Sequence, residues 1–153
     1  MTREPIPTWY FAVVIVRDDQ GRFLLVHARK HGQLWFFPAG RVEPGETLEQ
    51  GAIRETLEET SVPVELTGIY RVEHSPSEHG ARVRVIYAAR PVDDTPPKSE
   101  PDDESLEAAW VTLDDLDTLP LRGAEVRRIL REVDAGAPVY PRSLIAVEGS
   151  QLL

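Results

Sequence analysis

Glu55, Glu58 and Glu59 stand at i, i+3 and i+4. On an α-helix turning ~100° per residue, that spacing puts the three carboxyl groups on one side. Like charges so close repel, and a divalent cation is the natural relief. Mg²⁺ prefers hard oxygen ligands, a few carboxylates completed by water and substrate phosphate. Leu48, Ala52, Ile53 and Leu57 occupy the neighbouring arc, so the carboxylates should line the border between core and solvent. Arg54 lies off the acidic arc and can pair with Glu46 in the preceding loop. A plain solvated face has the same glutamate-rich look, and turns such as Gly40…Gly45-Glu46 are common.

The elements that would hold these residues are readable. Thr47-Leu48-Glu49-Gln50 has the capping-box pattern, with Thr47 as N-cap and Gln50 reaching back. The helix should run to about Thr60, with Pro63 preventing continuation. Before it, Trp9–Arg17 and Arg22–Ala28 read as strands about the turn Asp18–Gly21, and Trp35–Pro38 as a short extended piece. Trp9, Tyr10 and Phe11 read as core, and Gly40 to Gly45 as a loop. After it, Val64–Val72 and Arg82–Val92 read as strands, Asp93–Glu104 as a solvated acidic loop, and Ala108–Val111 as a short strand. Leu113–Leu116 reads as one helical turn. Val126, Ile129, Leu130 and Val133 mark an amphipathic helix ended by Gly136. This order implies an α/β fold, a mixed sheet covered by helices on both faces.

The chain has 153 residues, with 17 Lys+Arg against 26 Asp+Glu for a net charge of −9. That length suits a single domain over 1–153. The charge argues against a nucleic-acid polymer as partner, since such binders present a basic face to phosphates. There is no cysteine, which excludes disulfides, thiolate nucleophiles and Cys-type metal sites. The apolar run Trp9–Val16 is too short to span a membrane, and Met1 to Pro7 lacks the look of a targeting signal. A cytoplasmic location is the expectation.

Gly40, Glu46, Arg54, Glu55, Glu58, Glu59 and Val62 match seven of the nine defined positions of G-x5-E-x7-R-E-U-x-E-E-x-G-U, where U is bulky and apolar. The chain therefore resembles the Nudix hydrolase (MutT-like) family, with its box over 40–62. At ~7% usage per residue type, the six Gly or charged matches arise by chance about once in 10⁷ starts. The flanks Trp35-x-x-Pro38-x-Gly40 and Trp110-Val111 are also similar to the family's. Thr56 replaces an apolar residue, though its methyl can face the core. Ser61 replaces the glycine at the helix end, which implies a different exit or mild strain. The Pro38-Ala39-Gly40 variant and the Gly136…Tyr140-Pro141 segment resemble the NudJ-type phosphatase branch, which acts on nucleoside di- and triphosphates and a thiamine-precursor pyrophosphate.

The resemblance implies a Nudix α/β/α sandwich with a mixed central β-sheet between helices. It also implies Mg²⁺-dependent (or Mn²⁺-dependent) hydrolysis of a small diphosphate compound by water. Glu55 and Glu59 match metal ligands, Glu58 a further ligand or the base, and Glu55 is also a candidate base. Ala39 matches the backbone carbonyl offered to the metal, and Gly40, Glu46 and Arg54 match the structural support of the site, Glu46 and Arg54 as a pair. A further acidic ligand from a later loop is assigned to Glu104, with Glu107 and Asp103 as alternatives. A homodimer is common among such folds.

Arg29, Lys30 and His31, just before the box, can contact phosphates or be plain surface charges. Arg84 alternates with apolar residues on a strand whose cationic face is either anion-binding or solvated. A diphosphate isomerase on this fold would want a cysteine. A Nudix-fold binding module without catalysis should have lost box carboxylates, and all four glutamates are present.

Overall fold

The computed structural model describes residues 3–153. Met1 and Thr2, part of the segment read as lacking a targeting signal, lie outside the described residues. Among the described residues the strands are β1 (Thr8–Val16), β2 (Phe23–His27), β3 (Trp35–Phe36), β4 (Ala39–Arg41), β5 (Val64–Ser77), β6 (Gly80–Pro91) and β7 (Glu107–Val111). The helices are α1 (Leu48–Thr60) and α2 (Glu125–Asp134), with 3₁₀ turns at Asp114–Asp117 and Arg142–Leu144. Among the described residues no helix is long and apolar enough to cross a membrane.

β1 is the spine. It pairs in parallel with β6 and antiparallel with β4, giving a mixed sheet of order β4-β1-β6-β5. Both faces of β1 are covered. Ala12, Val14 and Val16 join the core under α1, while Val13 and Ile15 join the one under α2. This is why the strand reads as a continuous apolar run rather than an alternation. A second, antiparallel sheet, β3-β2-β7, flanks the first.

Four expectations are corrected. The stretch opening at Gly40 is not all loop, because Ala39–Arg41 forms β4 against Phe11–Val13. The β5–β6 hairpin is longer than read, running to Ser77↔Gly80, since the pairing continues in register from Arg71 to the turn. Trp9 and Tyr10 are exposed, with the Arg41 guanidinium over the Trp9 ring. On α1, Ile53 and Leu57 are 39% and 48% exposed, and the buried face is instead Gly51, Ala52, Thr56 and Thr60. Small residues let the helix approach the sheet closely. A Cβ on Gly51 would come within 2.9 Å of Glu46 Oε1 and 3.1 Å of Val42.

Candidate active site

Shifting α1's inward face to the small residues turns Glu55 and Glu59 toward the sheet. Thr47 and Gln50 close the N-terminal capping box as expected. Thr56 is fully buried, its hydroxyl returned to the Ala52 carbonyl at 2.8 Å. At the C-terminus Ser61 adopts φ 65°, the left-handed exit normally left to glycine.

Opposite α1, the register sets Gly40 beside Ala12. The Glu55 carboxyl lies directly against Gly40, in space that any Cβ there would occupy. Arg54 braces the arrangement. Its guanidinium donates to both oxygens of Glu46, at 2.7 and 2.9 Å, and from Nη1 to Glu55 Oε1 at 3.0 Å and Glu58 Oε2 at 3.1 Å. The Arg54 hydrogen bond pulls Glu46 down to about 2.

Glu59 is the most deeply placed carboxyl. Its Oε1 accepts from the Ala39 N–H at 3.3 Å. Burial first, then the Glu55 charge, push its pKa up to about 9, and Glu104 adds to the effect. Burial raises Glu55 as well, against the pull of Arg54. Adjacent carboxylates in a buried site oppose each other's ionisation, and here the Glu55 charge is one cause of the rise at Glu59. Glu58 is different, with 40% of its side chain exposed.

Glu59 and Glu104 line a cavity of about 230 Å³ together with Ala39 and Asp103. Arg29, Lys30, His31, Arg122 and Phe36 line the same cavity. Arg122 lies over the Phe36 ring at 5.0 Å. A larger, more apolar groove of about 440 Å³ runs between β5, α2 and the following segment, but no comparable carboxyl cluster faces it.

The structure thus brings together Glu55, Glu59, Glu104, Ala39, Arg29 and His31, with Gly40, Glu46 and Arg54 in support. Glu58 is held on the outer side by Arg54. Arg84 is not brought to this cavity; its guanidinium is held between Glu73 and Glu125. Glu107 pairs with His27. Sequence reasoning missed Phe36 and Arg122, and also Lys98 and Ser105. Lys98 carries one visible signal, as the single Lys or Arg between Arg90 and Arg122.

Among the described residues no group of three or more acidic or histidine side chains is arranged to hold a metal ion. The donor set nevertheless fits a hard divalent cation. Glu59 is a buried carboxyl with one backbone donor, and two further carboxyl groups, Glu55 and Glu104, raise its pKa. Mg²⁺ typically takes only one or two protein carboxylates, the rest being water and phosphate.

The model of the NUDIX domain matches residues 8–133. The chain belongs to the NUDIX domain family. Its mouse relative "8-oxo-dGDP phosphatase NUDT18" is 34% identical over 132 residues, covering 84% of this chain and 38% of that protein. "MutT-like protein" of Streptomyces ambofaciens is 32% identical over 142 residues, covering 90% of this chain and 84% of that one. This Nudix chain spans little more than a third of the length of the first curated relatives it matches. Among solved structures, a NUDIX hydrolase from Nitrosomonas europaea aligns with a TM-score of 0.76 at 24% identity, over 94% of this chain and all of that one. That likeness supports the Nudix α/β/α sandwich.

Proposed function

We propose that this Nudix chain hydrolyses a diphosphate bond in a nucleoside di- or triphosphate, or in another nucleoside-diphosphate-linked small molecule, using Mg²⁺ (Mn²⁺ as substitute). The observation that carries the reading is the polarity of the cavity. The same small cavity is lined by the acidic Glu59, Asp103 and Glu104 and by the basic Arg29, Lys30, His31 and Arg122. A diphosphate suits such a mixed lining when a cation accompanies it. The relative named for 8-oxo-dGDP makes a nucleotide the first substrate class to test.

Glu55, Glu58, Glu59 and Glu104, with the Ala39 carbonyl, would hold the metal. A bound divalent ion supplies charge neutralisation on the diphosphate and a lowered water pKa. Arg29, Lys30 and His31 bind phosphate oxygens, which orients the phosphorus for attack by water. Glu58, the glutamate of the three most open to water, suits the base; Glu55 is the alternative. Phe36 and Arg122 offer a stacking surface for a flat group. Gly40 and Arg54 fix the Glu55 carboxyl.

The test is incubation with Mg²⁺, or with EDTA, and a panel of nucleoside di- and triphosphates, nucleotide sugars, ADP-ribose, dinucleoside polyphosphates and a thiamine-precursor pyrophosphate. Phosphate and pyrophosphate release are followed separately. Mg²⁺-dependent turnover lost in Glu55→Gln supports the reading. Silence, with no Mg²⁺ binding, would leave a binding module instead.

A further inference from the structure

An α-helix ends with four carbonyls that lack intrahelical donors. In α1 all four are satisfied, and three of them by one distant loop. Ser61 N–H donates to the Leu57 carbonyl at 2.9 Å. Lys98 Nζ donates to the Glu58 carbonyl at 2.6 Å, Ser105 Oγ to that of Glu59 at 2.6 Å, and Lys98 N–H to that of Thr60 at 2.8 Å. The last turn of α1 has no basic residue of its own; Lys98 supplies the cation a helix C-terminus favours.

Lys98 is 8% exposed, which is unusual for a lysine unless it is fully paired. An ammonium group has three donors, and each has an acceptor: the Glu58 carbonyl, Ser105 Oγ at 3.0 Å and Asp102 Oδ2 at 2.7 Å. Asp102 then folds the loop about itself. Its Oδ1 accepts from the N–H groups of Glu104 at 2.9 Å and Ser105 at 3.1 Å, and its carbonyl accepts from Arg29 Nη1 at 3.0 Å.

We propose that Lys98 and Ser105 are positioning residues that lock the Glu104 loop to the turn of α1 carrying Glu58 and Glu59, and so set the separation of the Glu59 and Glu104 carboxyl groups that line the cavity. Neither touches substrate; both act through the two glutamates. The assignment rests on the metal-site reading of those glutamates. Its energetic logic is that of partners behind metal ligands, whose loss weakens metal binding roughly 10–100-fold.

The experiment titrates Mn²⁺ alone into the full chain by calorimetry. The set is the parent, Lys98→Met, Ser105→Ala, Glu104→Gln and the Ser105→Ala/Glu104→Gln double variant. kcat and KM are measured on the compound turned over in the panel, at limiting and saturating Mg²⁺. Lys98→Met and Ser105→Ala should each weaken Mn²⁺ binding by about tenfold, with a rate loss that high Mg²⁺ recovers and an unchanged substrate KM. In the Glu104→Gln background, Ser105→Ala should weaken Mn²⁺ binding no further. Parent-like Mn²⁺ affinity in folded variants, or the same loss with and without Glu104, overturns the proposal. If Lys98→Met does not fold, the Ser105 and Glu104 pair decides alone. A parent that binds no Mn²⁺ would instead refute the metal-site reading beneath it.

Discussion

The Glu55 carboxyl occupies the space a side chain on Gly40 would need, so strand β4 and helix α1 meet through a glutamate packed on a bare backbone. Ala12, paired with Gly40 across the sheet, keeps the same patch small. Arg54 then fixes the glutamate from the other side while holding Glu46.

Gly40→Ala therefore displaces a carboxyl rather than backbone. The far end of a flexible side chain can swing away, so the stability loss should stay at or below about 1 kcal/mol, the low end for overpacking. Activity should suffer more, since the displaced group is a proposed ligand; a fall of roughly tenfold or more is expected. Urea denaturation beside turnover checks this. A variant that keeps full turnover contradicts the role given to the contact.

Ser61 carries the left-handed conformation at the end of α1. That region costs an L residue roughly 1–2 kcal/mol, partly offset by the roughly 0.4–1 kcal/mol that glycine gains in unfolded freedom. Ser61→Gly should raise stability by about 0.5–1 kcal/mol, read as a higher urea midpoint at constant slope. An unchanged or lower midpoint would show that the serine exit is unstrained.

Stability without metal should depend on pH in two windows of opposite sign. Glu59 keeps its proton in the native state up to about 9, against an ordinary value of 4.5. Between those values the native state binds more protons than the unfolded chain, so stability falls as pH rises. Glu46, lowered to about 2 by Arg54, contributes stability above 4.5 that is lost as pH falls toward 2. Melting of EDTA-treated protein across both windows checks this, and Glu59→Gln should flatten the upper one. Added Mg²⁺ should stabilise more as pH rises, because binding there no longer competes with the proton.

How much was legible follows from the range of each interaction. Thr47 with Gln50 and Glu46 with Arg54 are contacts within eight residues, and their spacing displayed them. The buried arc of α1 was misread because Ile53 and Leu57 are its most apolar members, while close approach to β1 and β4 selects Gly51, Ala52 and Thr56. β4 is three residues long and pairs only because β1 lies beside it, so no local pattern announces it. Lys98 reaches Glu58 across forty positions, and Arg84 looked available because Glu73 and Glu125 are distant in sequence. Glu104, by contrast, could be chosen from its place before Trp110, and it lines the cavity with Glu59.

In the proposed function the buried Glu59 carboxyl is a metal ligand of a diphosphate hydrolase. The most direct measurement compares the parent with Glu59→Gln at saturating Mg²⁺, on whichever diphosphate compound the parent turns over, with melting curves recorded alongside. The expected result is a rate lower by roughly a hundredfold or more in a variant at least as stable as the metal-free parent at neutral pH, because folding no longer requires Glu59 to take up a proton. A stable Glu59→Gln variant with the parent's rate would contradict it.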